Sequence, residues 1–288
     1  MSLQRALLPL CLLAALPALA DARGLDVRDL VKLDRVSSPT LSPDGRMVVF
    51  AQRSVDADLK AGTALYARHL LTRDLRPPSR LTPEGWNVNS PSFSPDGRTV
   101  YFLSAKGGTQ QLYAMPADGG EPRQLTAFAL DVGSYKLSPD GARVACSTDT
   151  FADCGADFAC TQKQLDARKA DKASGTVYDS MFVRHWDTWA DGRRSQLFIA
   201  DLGADGKVGA LKLLTRGIDG DVPSKPFGDD SEYAFSPDGA TVYFDARVAG
   251  KSEPWSTNFD IYAVPADASA APKNLTADNK AWDGYPVP

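Results

Sequence analysis

Two histidines, four cysteines, one cluster that mixes charge with indole rings, and a few paired acids are the residues of this chain best equipped for chemistry. Acyl-transfer chemistry of the Ser-His-Asp kind needs a serine raised on a Gly-x-Ser-x-Gly turn, where strain exposes its hydroxyl to a neighbouring imidazole. No such turn occurs between Met1 and Pro288, so the triad chemistry has no nucleophile here. The only imidazoles are His69, within the strand-like run Tyr66-Ala67-Arg68-His69-Leu70, and His185. His69 reads as a surface position on a strand. His185 belongs to the group Arg184, His185, Trp186, Asp187 and Trp189, which sets a cation, a carboxylate and two indoles within six residues. That combination can grip a short peptide through charge-assisted hydrogen bonds and apolar contact. It can equally fill gaps between structural units, with Arg184 paired to Asp187, and the sequence leaves both readings open.

The remaining chemical signals are weaker. Gly250-Lys251-Ser252 lacks the preceding glycine of a phosphate-binding loop and reads as a turn. Asp219-Gly220-Asp221 and Gly228-Asp229-Asp230 lack the calcium-loop spacing and read as solvated loop acids. Cys154 and Cys160 flank a short Gly/Asp-containing loop and are expected to form a local disulfide in an oxidising compartment, whereas Cys146 sits in an apolar run and reads as a buried free thiol. No histidine stands near these cysteines at zinc-site spacing, and no metal or cofactor is expected.

The elements that must carry these residues announce themselves by repetition. Ser-Pro-Asp-Gly occurs at 42–45, 94–97, 138–141 and 236–239. Proline presets φ at the first corner of a turn, aspartate caps the following amides, and glycine accepts the positive φ that closes a tight hairpin. Each corner leads into a β-branched or aromatic run such as Thr99-Val100-Tyr101-Phe102-Leu103 or Thr241-Val242-Tyr243-Phe244. A second strand phrase follows at Ala64-Leu65-Tyr66-Ala67, Gln111-Leu112-Tyr113-Ala114, Gln196-Leu197-Phe198-Ile199 and Asp260-Ile261-Tyr262-Ala263, and a Leu-Thr element closes each unit at 81–82, 125–126, 214–215 and 275–276. Four short antiparallel strands in about 45 to 50 residues are the content of one propeller blade. The expected fold is therefore all-β, a β-propeller of four-stranded antiparallel blades. The run from Gln196 has no tetrapeptide immediately before it and is assigned to a degenerate extra copy, giving about five to six blades in an incomplete ring.

At the N-terminus, Arg5, the apolar stretch Ala6–Leu16 and Ala18-Leu19-Ala20 have the layout of a secretory signal (residues 1–20) cleaved after Ala20. The propeller domain then occupies 21–288, and a periplasmic or secreted location is expected. A formal charge of -4, spread along the chain, offers nothing to nucleic acid or to an anionic membrane.

The repeat phrase resembles that of TolB-like periplasmic proteins and of prolyl oligopeptidase-family peptidases. The segments Tyr178–Trp189 and Glu253-Pro254-Trp255-Ser256-Thr257-Asn258-Phe259-Asp260 are similar to the propeller of bacterial dipeptidyl and acylaminoacyl peptidases. In that family a propeller of about seven or eight blades caps a C-terminal α/β-hydrolase domain that carries the triad. The resemblance implies a non-catalytic propeller that gates access, helps bind short peptides and partners a hydrolase domain, with the chain stopping before the last blades and that domain. A stand-alone TolB-like protein-binding propeller is the alternative.

Overall fold

A computed structural model describes residues 23–70, 77–179, 181–203 and 206–288. The expected signal segment lies outside the described residues. The chain divides into two units, Met1–Leu33 and Asp34–Pro288. In the first, helix α1 (Val27–Lys32) starts at a reciprocal cap: the Asp26 carboxylate accepts from the Asp29 N–H, and the Asp29 carboxylate accepts from the Asp26 N–H.

The second unit is built from four-stranded antiparallel sheets. The first holds β1 (Arg35–Leu41), β2 (Met47–Val55), β3 (Ala61–His69) and β4 (Ser79–Arg80), and the second β5 (Val88–Phe93), β6 (Thr99–Ser104), β7 (Gln111–Pro116) and β8 (Arg123–Gln124). The third begins with β9 (Tyr135–Leu137) and β10 (Arg143–Thr150). Helix α2 (Phe158–Ala170) and a small hairpin, β11 (Arg184–His185) and β12 (Thr188–Trp189), then intervene before β13 (Arg194–Asp201) and β14 (Lys212–Leu213) complete it. The fourth holds β15 (Tyr233–Phe235), β16 (Thr241–Ala246), β17 (Asp260–Pro265) and β18 (Lys273–Asn274).

The blade count corrects the sequence expectation of five to six: four four-stranded sheets stand among the described residues. The Gln196 run is no separate copy. It lies in β13, which pairs with β10 from Arg143↔Asp201 to Thr150↔Arg194, so residues 151–193 are an insertion between neighbouring strands of one blade. The long interval between the third and fourth tetrapeptides is the length of that insertion.

The repeat phrases fold locally, which is why they could be read. In every Ser-Pro-Asp-Gly corner the serine hydroxyl donates to the aspartate (2.5–2.6 Å) and accepts from the N–H five residues on (2.9–3.0 Å). The corner glycines all take φ near +70°, from 68° to 72°, a region that a side chain would strain. In the closing phrase each threonine hydroxyl accepts from the N–H of an inner residue of the third strand, Leu65, Leu112, Leu197 or Ile261, at 2.9–3.2 Å. Leu-Thr therefore pins the short outer strand to its blade.

Sheets bury their faces against one another. Val49, Leu65 and Ala67 of the first meet Phe102, Tyr113 and Met115 of the second. Leu103 and Leu112 meet Val144, Cys146 and Phe198 of the third, and Leu197, Ile199 and Leu214 meet Phe244, Tyr262 and Val264 of the fourth. Removal of this much apolar surface from water is the main force holding the blades side by side. Inner strands add a polar stitch: the Tyr135 hydroxyl donates to the Ser90 carbonyl (2.8 Å), and the Tyr233 hydroxyl bonds the Ser134 hydroxyl (3.0 Å).

Cys146 is a free thiol 2% exposed in the second of these cores, and burial pushes its pKa up to about 12. The thiolate is the reactive form. Native protein is therefore expected to leave Cys146 unmodified by iodoacetamide near neutral pH, and protein in concentrated guanidinium to alkylate it fully. Peptide mapping by mass spectrometry reads the difference; rapid native alkylation would mean that the core opens locally.

Candidate functional site

The insertion leaves β10 at Thr150 and returns at Arg194, and its base is tied into the core. Phe158 of α2 packs edge-on against Phe128 (5.4 Å) and Phe198 (5.1 Å). Cys154 and Cys160 are joined by a disulfide with Cα atoms 5.5 Å apart, and the Arg168 guanidinium lies 4.3 Å from the Phe151 ring centre. Arg168 also donates to the Asp191 carbonyl. These anchors present the β11–β12 hairpin over a cleft of about 380 Å³, within the range of small-molecule sites.

Four segments wall this cleft: Asp149 of β10, the end of the insertion from Phe182 together with Arg194 (the first residue of β13), the loop with Asp221 and Lys225, and Arg247 with Glu253. Its floor is an interlocked ion network. The Arg194 guanidinium meets Glu253 through two parallel bonds (3.0 and 2.9 Å), Asp221 at 3.0 Å and Asp219 at 3.3 Å. Arg247 reaches Glu253 at 3.5 Å, and Lys225 reaches Asp149 at 2.9 Å and Asp221 at 3.5 Å. Arg193 closes on Asp191 at 2.6 Å. The Glu253 hydrogen bonds, opposed by desolvation, raise the Arg194 pKa further above its ordinary value. Forked guanidinium–carboxylate pairs fix direction as well as charge, so the floor is held in one geometry.

The five candidate residues divide here. Arg184, His185 and Trp189 line the cleft; Trp186 and Asp187, at the tip of the hairpin, do not. Trp186 and Trp189 are 73% and 60% exposed and fill no gap between blades. Arg184 does not pair with Asp187; it faces Trp189 across the hairpin, its guanidinium 5.4 Å from the ring centre. Trp186 meets the exposed Phe227 edge-on at 5.1 Å, and His185 stands among Phe182, Trp186 and Phe227. Neither histidine hydrogen-bonds a serine among the described residues.

Sequence reasoning missed the floor. Asp221 is no solvated loop acid: besides two cations it accepts the Ser195 N–H at 2.8 Å. Gly250–Trp255 is a 3-10 helix rather than a plain turn, and it carries Glu253 into the network at 8% exposure. The available signals were the Arg193-Arg194 pair where the insertion ends and the Glu253 that opens the second family-like segment. Among the described residues no group of three His, Cys, Asp or Glu is placed to hold a metal, and no helix is long and apolar enough to cross a membrane.

Four-stranded antiparallel sheets packed face to face, with a cleft carried on an insertion in one of them, define a β-propeller protein. The model of the TolB beta propeller domain matches residues 35–182, and the chain belongs to that family. It is similar to dipeptidyl-peptidase 5 of Porphyromonas gingivalis (31% identity over 257 residues, 88% of this chain) and of Porphyromonas endodontalis (28% over 260 residues, 89% of this chain). The chain spans 36% of the length of each. Among solved structures it is similar to an acylaminoacyl peptidase bound to Z-Gly-Gly-Phe-chloromethyl ketone (TM-score 0.58, 12% identity, covering 87% of this chain and 33% of that one). It is also similar to a TolB protein of Agrobacterium tumefaciens (TM-score 0.51, 20% identity, 88% and 66%). At these identities the two structures speak for the fold alone.

Proposed function

We propose that this chain is the non-catalytic propeller of a periplasmic or secreted serine exopeptidase of the dipeptidyl or acylaminoacyl type, gating access to the active centre and helping to bind short peptides. The observation that carries this reading is the match to dipeptidyl-peptidase 5 proteins over 88–89% of this chain but only 36% of their length, in a chain with no Gly-x-Ser-x-Gly turn. Catalysis belongs on this reading to a C-terminal α/β-hydrolase domain, the partner of the propeller. Arg184, His185 and Trp189 face the peptide from the cleft wall, Trp186 and Asp187 form the outer tip of the same hairpin, and residues 1–20 act as the export signal, cleaved after Ala20.

The chain alone is expected to release no fluorophore from dipeptidyl or acylaminoacyl substrates and to take no label from a serine-directed fluorophosphonate. Coding DNA beyond the codon for Pro288 is expected to run on into a Gly-x-Ser-x-Gly elbow. Labelling of the chain, or a stop codon followed by unrelated sequence, overturns the reading. The second outcome favours a stand-alone TolB-like binding propeller, the alternative supported by the family match itself.

A further inference from the structure

The charges of the cleft are unevenly paired. Five cations line it, Arg184, Arg193, Arg194, Lys225 and Arg247, against four carboxylates, Asp149, Asp191, Asp221 and Glu253. Every one of the four carboxylates already has a cation within 3.5 Å. A ligand ammonium entering the cleft would therefore find each acid already engaged by a cation. Arg184 is the exception among the cations. No carboxylate among the described residues pairs with it, and its guanidinium rests on Trp189 at the cleft wall. A cation–π contact engages the charge of a guanidinium without consuming its N–H donors, which remain available to a planar anion. His185 lines the cleft beside it, and Phe182 and Trp189 provide apolar wall in the same cleft.

We infer that Arg184 is the anion-receiving residue of this cleft, and that the ligand it takes is a short peptide presenting a carboxylate, either its C-terminus or an acidic side chain. The inference rests on the peptide-binding reading above and adds the charge of the ligand and the residue that selects it. Arg184 receives the carboxylate through two parallel N–H···O bonds while the Phe182 and Trp189 rings cover the neighbouring apolar group. The interlocked floor keeps its own charges in place. The hairpin fixes the Arg184 backbone by its pairing with Trp189, which keeps the side chain at the cleft wall.

The test is isothermal titration of the full chain with three N-acetylated peptides: Gly-Phe-Gly with a free C-terminal carboxylate, the same peptide as its C-terminal amide, and the amide carrying glutamate in place of phenylalanine. Tighter binding of the first over the second assigns the C-terminus as the source of the anion, and tighter binding of the third assigns the side chain. In either case the expected advantage is about tenfold or more, the scale of a charge-assisted fork. It is expected to vanish in Arg184→Gln and to survive in part in Arg184→Lys, which keeps charge and loses the fork. Near-UV circular dichroism confirms that each variant is folded. Equal affinity for carboxylate and amide peptides, or an advantage that persists in Arg184→Gln, overturns the anion assignment and leaves the peptide site standing. Absence of binding by all three peptides overturns both.

Discussion

Replacement of Glu253 by alanine is expected to lower the unfolding free energy by about 3 kcal/mol, read from the shift of the urea midpoint at constant slope. One carboxylate, 8% exposed, here neutralises two guanidiniums: Arg194 through two bonds and Arg247 through one longer contact. Removing it leaves both cations half-buried, with Arg194 retaining Asp221 and Asp219 but Arg247 losing its carboxylate partner. Destabilisation from an uncompensated charge exceeds the small value of an exposed ion pair. Glu253→Gln keeps one acceptor and about the same volume, and about half the loss is expected. A loss below about 0.5 kcal/mol for the alanine variant would mean that the network behaves as ordinary surface pairs. The functional corollary is that the cleft floor and the third and fourth blades stand or fall together, because Arg194 belongs to β13 and Glu253 to the segment between β16 and β17.

Asp245 carries the second large effect, with the opposite sign. Its side chain lies in β16 at 1% exposure, among positions that are apolar or small in the equivalent strands: Ala51, Leu103 and Ser147. Burial pushes its pKa up to about 7; the Tyr285 N–H, donating at 2.8 Å, pulls it down, and the Glu232 carboxylate adds to the rise. An ordinary unfolded aspartate titrates near 3.9. A group that holds its proton more tightly in the folded state stabilises the fold fully below the unfolded value, and this contribution is lost as pH rises through the folded value. A carboxyl raised from near 3.9 to about 7 accounts for at most about 4 kcal/mol of stability lost between acid and alkaline solution. Asp245→Asn keeps a carbonyl for the Tyr285 N–H and cannot ionise. Stability gained by the variant is therefore expected to approach a few kcal/mol near pH 8 and to vanish near pH 4. Parallel urea curves for the two proteins across that range would show instead that the carboxylate is solvated by local opening of residues 282–285.

Much of the fold was legible because its signals are short-range. The tetrapeptide corner closes its hydrogen bonds within five residues, and the phrase is read as soon as it is seen four times. The Leu-Thr phrase was equally visible, although its reason, a hydroxyl accepting from a strand 14 to 18 residues earlier, was not. Blade counting failed at one place only. Gln196 pairs with Thr148 across an inserted helix and hairpin, and spacing along the chain does not report a pairing made across an excursion of that length.

By itself the sequence determined the class of fold, the residues of the hairpin that overlooks the cleft, and the absence of a nucleophile elbow, since each depends on neighbours in the chain. Tertiary structure alone decided the number of blades, which hairpin residues face the cleft, and the ion network beneath them. Asp149, Arg194, Asp221, Lys225, Arg247 and Glu253 span more than one hundred residues of chain, and beyond the Arg193-Arg194 pair and the place of Glu253 in a family-like segment nothing local marks them as one network. Only the stacking of the third blade on the fourth removes enough water from these six residues to make each charge choose a partner.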